Sequence, residues 1–190
     1  MLSRKLALFA VLTALCLAIQ LLPRLPNVEF TSFFAFSVGL MQGVVIGAFF
    51  GGLVMFVNGF LSPWGFAGLN LPFQMLGMAI AGICGGLYGR FTRNVNMSTQ
   101  FCLETAVLGA FLALVYDLIT NVGFGVQLIL AGTDPTAALF LAIAYGSFFS
   151  ITHVLSSGVV FGALFLPLVK MLNTLKVGEL TWLQKEHLCS

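Results

Sequence analysis

The sequence predicts an all-α membrane protein, a six-transmembrane-helix bundle with the N and C termini on the cytoplasmic side. Of the 190 residues, 59% are hydrophobic and only 7% are charged, whereas a soluble domain carries about 25% charged residues. A soluble chain with so few charged groups could not cover its own surface. Besides these two fractions, the sequence has a series of apolar runs, each of about the length that crosses a bilayer. We therefore expect residues 1–190 to form a single integral membrane domain.

The apolar runs divide into six expected helices. Arg4 and Lys5 precede a run that lacks a signal-peptide cleavage site, so we interpret it as a retained first helix. Pro23 ends this helix, while Asp134 and Pro135 provide a cap and a first turn for the last one. The spans are expected at about 5–22, 30–46, 48–61, 71–89, 100–130 and 136–170.

Basic residues predict the orientation of the bundle. Three clusters follow or precede apolar runs: Arg4 and Lys5; Arg90 and Arg93; and Lys170, Lys176 and Lys185. The positive-inside rule assigns all three to the cytoplasm. Between the first two clusters the chain must then cross an even number of times. The ambiguous stretch 30–61 is therefore expected to form two short crossings, with a hinge near Gly47–Gly52.

Small residues recur every fourth position on several expected helices. The stripes are Ala10, Ala14 and Ala18; Gly39, Gly43, Gly47 and Gly51; and Ala81, Gly85 and Gly89. This spacing places small residues on one helix face and lets helices approach closely. We expect the glycine stripes to pack inside the bundle. The alanine stripe, which begins near the cytoplasmic end, is either a packing face or a docking surface for another membrane protein.

Three polar residues interrupt the last two apolar runs. Asp117 and Asn121 lie one turn apart in the fifth helix, and His153 lies midway along the sixth. An ionised carboxylate at the centre of a membrane helix costs about 2.5–3.5 kcal/mol, so Asp117 needs a partner or a wet cavity. Four interpretations remain open: an Asp117–His153 clamp, an Asp117–Asn121 contact, a ligand cavity open to the outside, and a proton relay.

Further candidates lie in or beside the expected outer loops. Asn27 and Glu29 stand in a polar segment before the second helix, Asn70 and Gln74 flank the start of the fourth, and Trp64 lies between chain breakers. Trp64 and its neighbour Phe66 are either interface anchors or part of a cover over a ligand. With Phe124 they could stack on a planar ring. Gln74, Asn121 and Asp117 could read its hydrogen-bonding edge.

The absence of two sequence motifs argues against several functions. The chain has no phosphate-binding Gly-x-x-x-x-Gly-Lys-Ser/Thr loop, so ATP-driven work requires a partner. Ser157 follows His153 by one turn, but no Gly-x-Ser-x-Gly turn exposes a serine. We expect no enzymatic activity, no catalytic residues, no cofactor, no metal site and no nucleic-acid partner.

Four segments in combination resemble the substrate-binding S components of energy-coupling factor (ECF) vitamin transporters. They are Arg4–Ala10 leading into the alanine stripe; Pro26–Phe30 before the glycine-striped helix; Ser62–Gly65 with Pro72–Gly77 and Gly85–Arg90; and Tyr116–Asn121 with a His-bearing last helix ending Leu166–Lys170. Together the segments extend over nearly the whole chain, and their order and spacing carry the resemblance.

The resemblance implies a function and partners. An S component binds a vitamin in a cavity near the extracellular side, and a transmembrane coupling subunit with two ATPases supplies the energy. The small-residue motif that contacts the coupling subunit matches Ala10 and Ala14, and Ala18 continues it. The loops at 27–30 and 62–70 would close over the ligand, and the S component would topple in the membrane during transport.

We therefore expect the substrate-binding subunit of an ATP-driven importer for a vitamin or related micronutrient, in the plasma membrane of a prokaryote. The predicted binding residues are Asn27, Glu29, Trp64, Asn70, Gln74, Asp117, Asn121 and His153. The alternative is a stand-alone proton-coupled carrier that uses Asp117 and His153. The sequence matches no single vitamin's contact set.

Overall fold

A computed structural model describes residues 2–22, 28–63, 65–91 and 99–175. Its elements are α1 (Leu2–Leu21), α2 (Thr31–Gln42), α3 (Val44–Leu61), a 3₁₀ turn (Gly68–Asn70), α4 (Leu71–Phe91), α5 (Thr99–Leu130) and α6 (Pro135–Leu175). All regular structure in these residues is helical, as predicted. Four segments are long and apolar enough to cross a membrane: Val44–Leu61, Gly68–Phe91, Gln100–Leu130 and Pro135–Met171.

The break between α2 and α3 lies at Gly43, so the prediction of a hinge near Gly47–Gly52 is wrong. Gly43 has a φ of +96°, in a region that L-residues with a side chain rarely adopt. Gly47 and Gly52 instead lie inside the continuous helix α3. The expected span 30–46 therefore ends four residues early, and the predicted glycine stripe is divided between two helices.

The glycine stripes pack α2 and α3 against α4, as expected. A Cβ atom added at Gly39 or Gly82 would collide with main-chain atoms of the opposite helix, because Gly39 faces Gly82 and Gly82 faces Gly47. Gly85 approaches the main chain of Phe36 in the same way. Contacts of this kind require the absence of a side chain and bring three backbones close together.

The helices α5 and α6 form a long antiparallel pair. With 32 and 41 residues, they extend over about 48 and 62 Å at 1.5 Å per residue, well beyond a hydrocarbon core of about 30 Å. The predicted start of the last helix is confirmed. Asp134 Oδ1 accepts hydrogen bonds from the main-chain N–H groups of Thr136 and Ala137, at 3.0 and 3.1 Å.

Helices α2, α5 and α6 enclose an aromatic core, by which we mean Phe33, Phe36, Phe101, Phe161 and Phe165. All five side chains are buried. Phe161 lies edge-on to Phe33 and Phe36, with ring centroids 5.3 and 5.4 Å apart. The outward surfaces remain apolar, with Val45 and Phe140 exposed at 80% and 71%. Such a surface suits lipid rather than water.

Successive helices run in opposite directions, which gives the bundle two different ends. We call the end where α1, α3 and α5 finish and α2, α4 and α6 begin the cavity end. Among the described residues, the basic side chains Lys5, Arg90 and Lys170 belong to the opposite end, at the start of α1 and near the ends of α4 and α6.

Candidate ligand-binding cavity

A cavity of about 690 Å³ lies at the cavity end of the bundle. Its size falls within the range of about 300–1,000 Å³ that is usual for small-molecule sites. Its polar lining is Gln20, Glu29, Asn58, Ser62, Asn70, Gln74, Asp117, Thr120, Asn121, Ser150 and His153, and its aromatic lining is Phe66, Tyr116, Phe124, Tyr145 and Phe149. The lining therefore comes from α1, from α3 to α6, and from the segments before α2 and α4.

Asp117 and His153 join the two long helices at the floor of the cavity. Asp117 Oδ1 lies 2.8 Å from His153 Nδ1, at hydrogen-bond distance, and the two residues are only 7% and 1% exposed. A carboxylate accepts only, so the imidazole Nδ1–H donates to it. The pair predicted as a clamp is thus formed, and it also lines the cavity. The same two residues therefore link the helices and form the floor of the cavity.

Glu29 approaches the same imidazole from the other side. It precedes α2 and is only 8% exposed, although the sequence suggested an outer loop. Its Oε2 lies 3.9 Å from His153 Nε2, which is too long for a hydrogen bond and is an ion pair only when the imidazole is protonated. The imidazole consequently lies between two carboxylates that are far apart in the sequence.

Tyr116 completes the wall beside this group. Its ring meets the imidazole of His153 edge-on, with centroids 5.5 Å apart and an interplanar angle of 88°. Across the helix interface the ring faces Gly77 of α4, where an added Cβ would lie 2.6 Å from Tyr116 Cδ2. A glycine in α4 therefore makes room for a cavity-lining aromatic of α5.

Two more glycines make room for amide side chains of the cavity. Asn121 packs against Gly146 of α6, and a Cβ there would overlap its amide group. Asn70, from the 3₁₀ turn, packs against Gly123 of α5 in the same manner. In both cases the absence of a side chain determines where the amide group lies.

Six of the eight predicted binding residues line the cavity: Glu29, Asn70, Gln74, Asp117, Asn121 and His153. Asn27 and Trp64 lie outside the described residues. The aromatic residues suggested for stacking, Phe66 and Phe124, are part of the lining. The role of these residues in binding stays a prediction, but the described ones share one cavity.

Other lining residues were not among the predicted site residues. Gln20 and Asn58, only 4% and 8% exposed, lie near the ends of α1 and α3, and a polar residue in an apolar run was an available signal. Tyr145 and Phe149 precede His153 at four-residue intervals. That spacing places them on the same helix face as the histidine and could have identified them.

The two serines near His153 differ in their contacts, because Ser157 Oγ has no hydrogen-bond partner among the described residues. Ser156 Oγ donates a hydrogen bond to the main-chain carbonyl of His153, at 3.0 Å. Ser157, one turn beyond the histidine, is fully buried. Across the described ranges, no group of three His, Cys, Asp or Glu side chains is arranged to hold a metal ion.

The alanine stripe lies on the outside of the bundle. Ala10, Ala14 and Ala18 are all exposed, whereas Phe9 and Cys16 of the same helix pack inward against α2 and α3. Among the described residues, the stripe is therefore not buried by packing, and α1 presents its small side chains on the outer surface.

The fold and the cavity define a class: an apolar, all-helical protein that is compatible with integration in a membrane and has a ligand-sized cavity between helix ends. Comparisons with known protein families, curated proteins and solved structures found no match. The assignment of a function therefore depends on the cavity and on the surface of α1.

Proposed function

We propose that this protein is the membrane-embedded substrate-binding subunit of an ATP-driven, ECF-type importer for a vitamin or related micronutrient. The chain supplies affinity and specificity and has no enzymatic activity. A transmembrane coupling subunit and two ATPase subunits, on other chains, supply the energy. The protein resides in the plasma membrane of a prokaryote.

The observation that carries the proposal is the cavity at the end of the bundle opposite Lys5, Arg90 and Lys170. Basic residues favour the cytoplasmic side, so the cavity opens to the outside, where an importer captures its substrate. Both termini are then cytoplasmic, and the helices make six crossings.

The shortest crossing is α2. Its 12 residues extend over about 18 Å as a helix, which is less than the hydrocarbon core. Phe30 before it already has helical backbone angles, with φ −105° and ψ −8°, so Val28 and Glu29 add at most about 7 Å of chain. Glu29 is buried there, and this segment completes the crossing at the level of the cavity.

The exposed alanine stripe supports docking to a coupling subunit. Ala14→Trp should abolish uptake in cells that express the whole transporter but leave substrate binding intact, because the bulky ring prevents close helix contact. The matched control is Ala144→Trp, an exposed alanine of α6, which should leave both activities unchanged. Equal loss of binding and uptake in Ala14→Trp would contradict the docking role.

The decisive experiment is mass spectrometry of small molecules released from the purified full chain. A near-stoichiometric organic compound supports a substrate-binding subunit and identifies its substrate. The same compound should then accumulate in cells only when the coupling subunit and active ATPases are present. Accumulation without them would contradict the proposal.

A proton-coupled carrier is the alternative, and one observation favours it: the imidazole of His153 lies between Glu29 and Asp117. Carboxylates and histidine exchange protons readily. Such a carrier would transport in liposomes that contain this chain alone, driven by a proton gradient. An uncoupler would stop that transport, whereas it would not directly stop an ATP-driven importer.

A further inference from the structure

The cavity is lined by buried oxygen atoms that lack a hydrogen-bond donor from the described protein. They are Glu29 Oε1, Asn58 Oδ1, Asn70 Oδ1, Gln74 Oε1 and Asp117 Oδ2. An amide can rotate and present its nitrogen instead, but an ionised carboxylate has no donor. The two carboxylate oxygens therefore require N–H or O–H donors, which a bound molecule could supply.

The side chains that line the cavity also carry more negative than positive charge. The side chains of Glu29 and Asp117 are buried, with 11% and 9% of their surface exposed, and His153 is the one basic side chain in the described lining. A buried charge is costly unless it is paired. Two carboxylates on one imidazole leave the group short of positive charge, and the basic residues Lys5, Arg90 and Lys170 belong to the other end of the bundle.

Aromatic side chains form the remaining walls. Tyr116, Phe124, Tyr145 and Phe149 all line the cavity, and aromatic faces attract cations, with about 0.5–2 kcal/mol for each well-placed ring. The rings also make apolar surface for the body of an organic molecule. The volume of about 690 Å³ is much larger than a bare metal ion requires.

We propose that the cavity selects a nitrogen-containing organic cation that carries two or more N–H donors, with Glu29 and Asp117 as its acceptors. This inference rests on the proposed binding function and specifies its substrate class. Protonated amines, amidinium groups and protonated aminopyrimidines have this chemistry. Carboxylates and phosphate esters do not, because they would meet further negative charge.

Three compounds of the same shape test the charge requirement: benzamidine is a cation, benzamide is neutral and benzoate is an anion. Binding to the purified full chain is measured by calorimetry after any copurified compound has been removed. We expect benzamidine to bind at least tenfold more tightly than benzamide, the factor that a charge-assisted hydrogen bond provides, and benzoate not to bind. Phenyltrimethylammonium, a cation without N–H donors, should bind more weakly than benzamidine.

A pair of matched variants links the selectivity to the cavity. Glu29→Gln should weaken benzamidine binding about tenfold or more and reduce its preference over benzamide. Glu104→Gln makes the same change at an exposed position of α5, near the opposite end, and should have no effect. Size-exclusion chromatography monitors folding, and the comparison of the three compounds on the unmodified protein does not depend on any variant.

The outcomes separate this inference from the function on which it rests. Equal binding of benzamidine and benzamide, preference for benzoate, or Zn²⁺ binding that displaces benzamidine would overturn the cation proposal. A copurified neutral or anionic compound would overturn it too, while retaining a substrate-binding subunit. Absence of binding by all compounds, together with a protein purified empty, would contradict both.

Discussion

Asp117→Asn separates the two roles of the carboxylate in α5. Asp117 Oδ1 accepts the hydrogen bond from His153 Nδ1 at 2.8 Å, whereas Oδ2 is buried and has no donor among the described residues. An asparagine has the same shape, and its amide oxygen can still accept from the imidazole. Its –NH₂ group, however, takes the place of Oδ2, so a hydrogen-bond donor replaces an acceptor. The substitution therefore keeps the link to His153 and removes the acceptor that faces the cavity.

The expected magnitudes follow from these contacts. A hydrogen bond to a charged group contributes about 1.5–3 kcal/mol and a neutral one about 0.5–1.5, so Asp117→Asn should cost about 1 kcal/mol of stability. That corresponds to a fall in Tm of about 2–4 °C. Asp117→Leu removes the carboxylate that binds His153 Nδ1, and breaking a buried pair costs about 3–5 kcal/mol. Its Tm should fall by about 6 °C or more.

Thermal unfolding in detergent and benzamidine binding, measured on the same samples, distinguish these effects. Asp117→Asn should lose about tenfold or more in binding while it remains folded, with Glu104→Gln as the unaffected reference. An Asp117→Asn protein as unstable as Asp117→Leu would refute this reasoning, since the carboxylate would then serve only to clamp the helices. Unchanged binding in a folded Asp117→Asn protein would refute it equally.

Two glycine substitutions test backbone and packing. Gly43→Ala should lower the stability by about 1–3 kcal/mol from its positive φ alone, because an added Cβ meets nothing within 4 Å. Gly52→Ala is equally unobstructed but lies inside α3, so it should not destabilise the protein. Equal Tm values for the two variants would contradict the assigned break. Gly146→Ala should displace Asn121 and weaken benzamidine binding. Gly158→Ala, where an added Cβ has its nearest contact at 3.4 Å, should leave binding unchanged. Unchanged binding in Gly146→Ala would exclude Asn121 from the site.

Sequence patterns that lie within a single segment of the chain predicted the helices well. Apolar run length, the Asp134–Pro135 start and the four-residue glycine spacing identified elements that depend on local sequence. The break at Gly43 was missed because Gly43, Gly47, Gly51 and Gly52 are equivalent in a sequence pattern. Only the packing on α4 uses Gly47 and Gly51 inside a helix and leaves Gly43 for the turn.

The candidate site was predicted in part for a related reason. Asp117 and His153 are conspicuous because they interrupt apolar runs, and that signal requires no knowledge of the fold. The approach of Glu29 to His153 joins residues on segments that are not neighbours in the chain, and no periodicity encodes it. Gln20 and Asn58 also interrupt apolar runs, but they lie near helix ends, where polar residues are common, so the same signal was weaker there.

The aromatic core bears on how a substrate could leave the cavity. A carrier that acts alone must open the same site to both sides of the membrane. Here Phe161 lies two helical turns beyond His153, about 12 Å toward the opposite end, and it is buried with Phe33, Phe36 and Phe165. Opening an inward path through this core would require repacking of a close-packed interior, which is costly. Movement of the whole bundle against a partner docked on α1 avoids that cost, which favours the ATP-driven importer over the proton-coupled carrier.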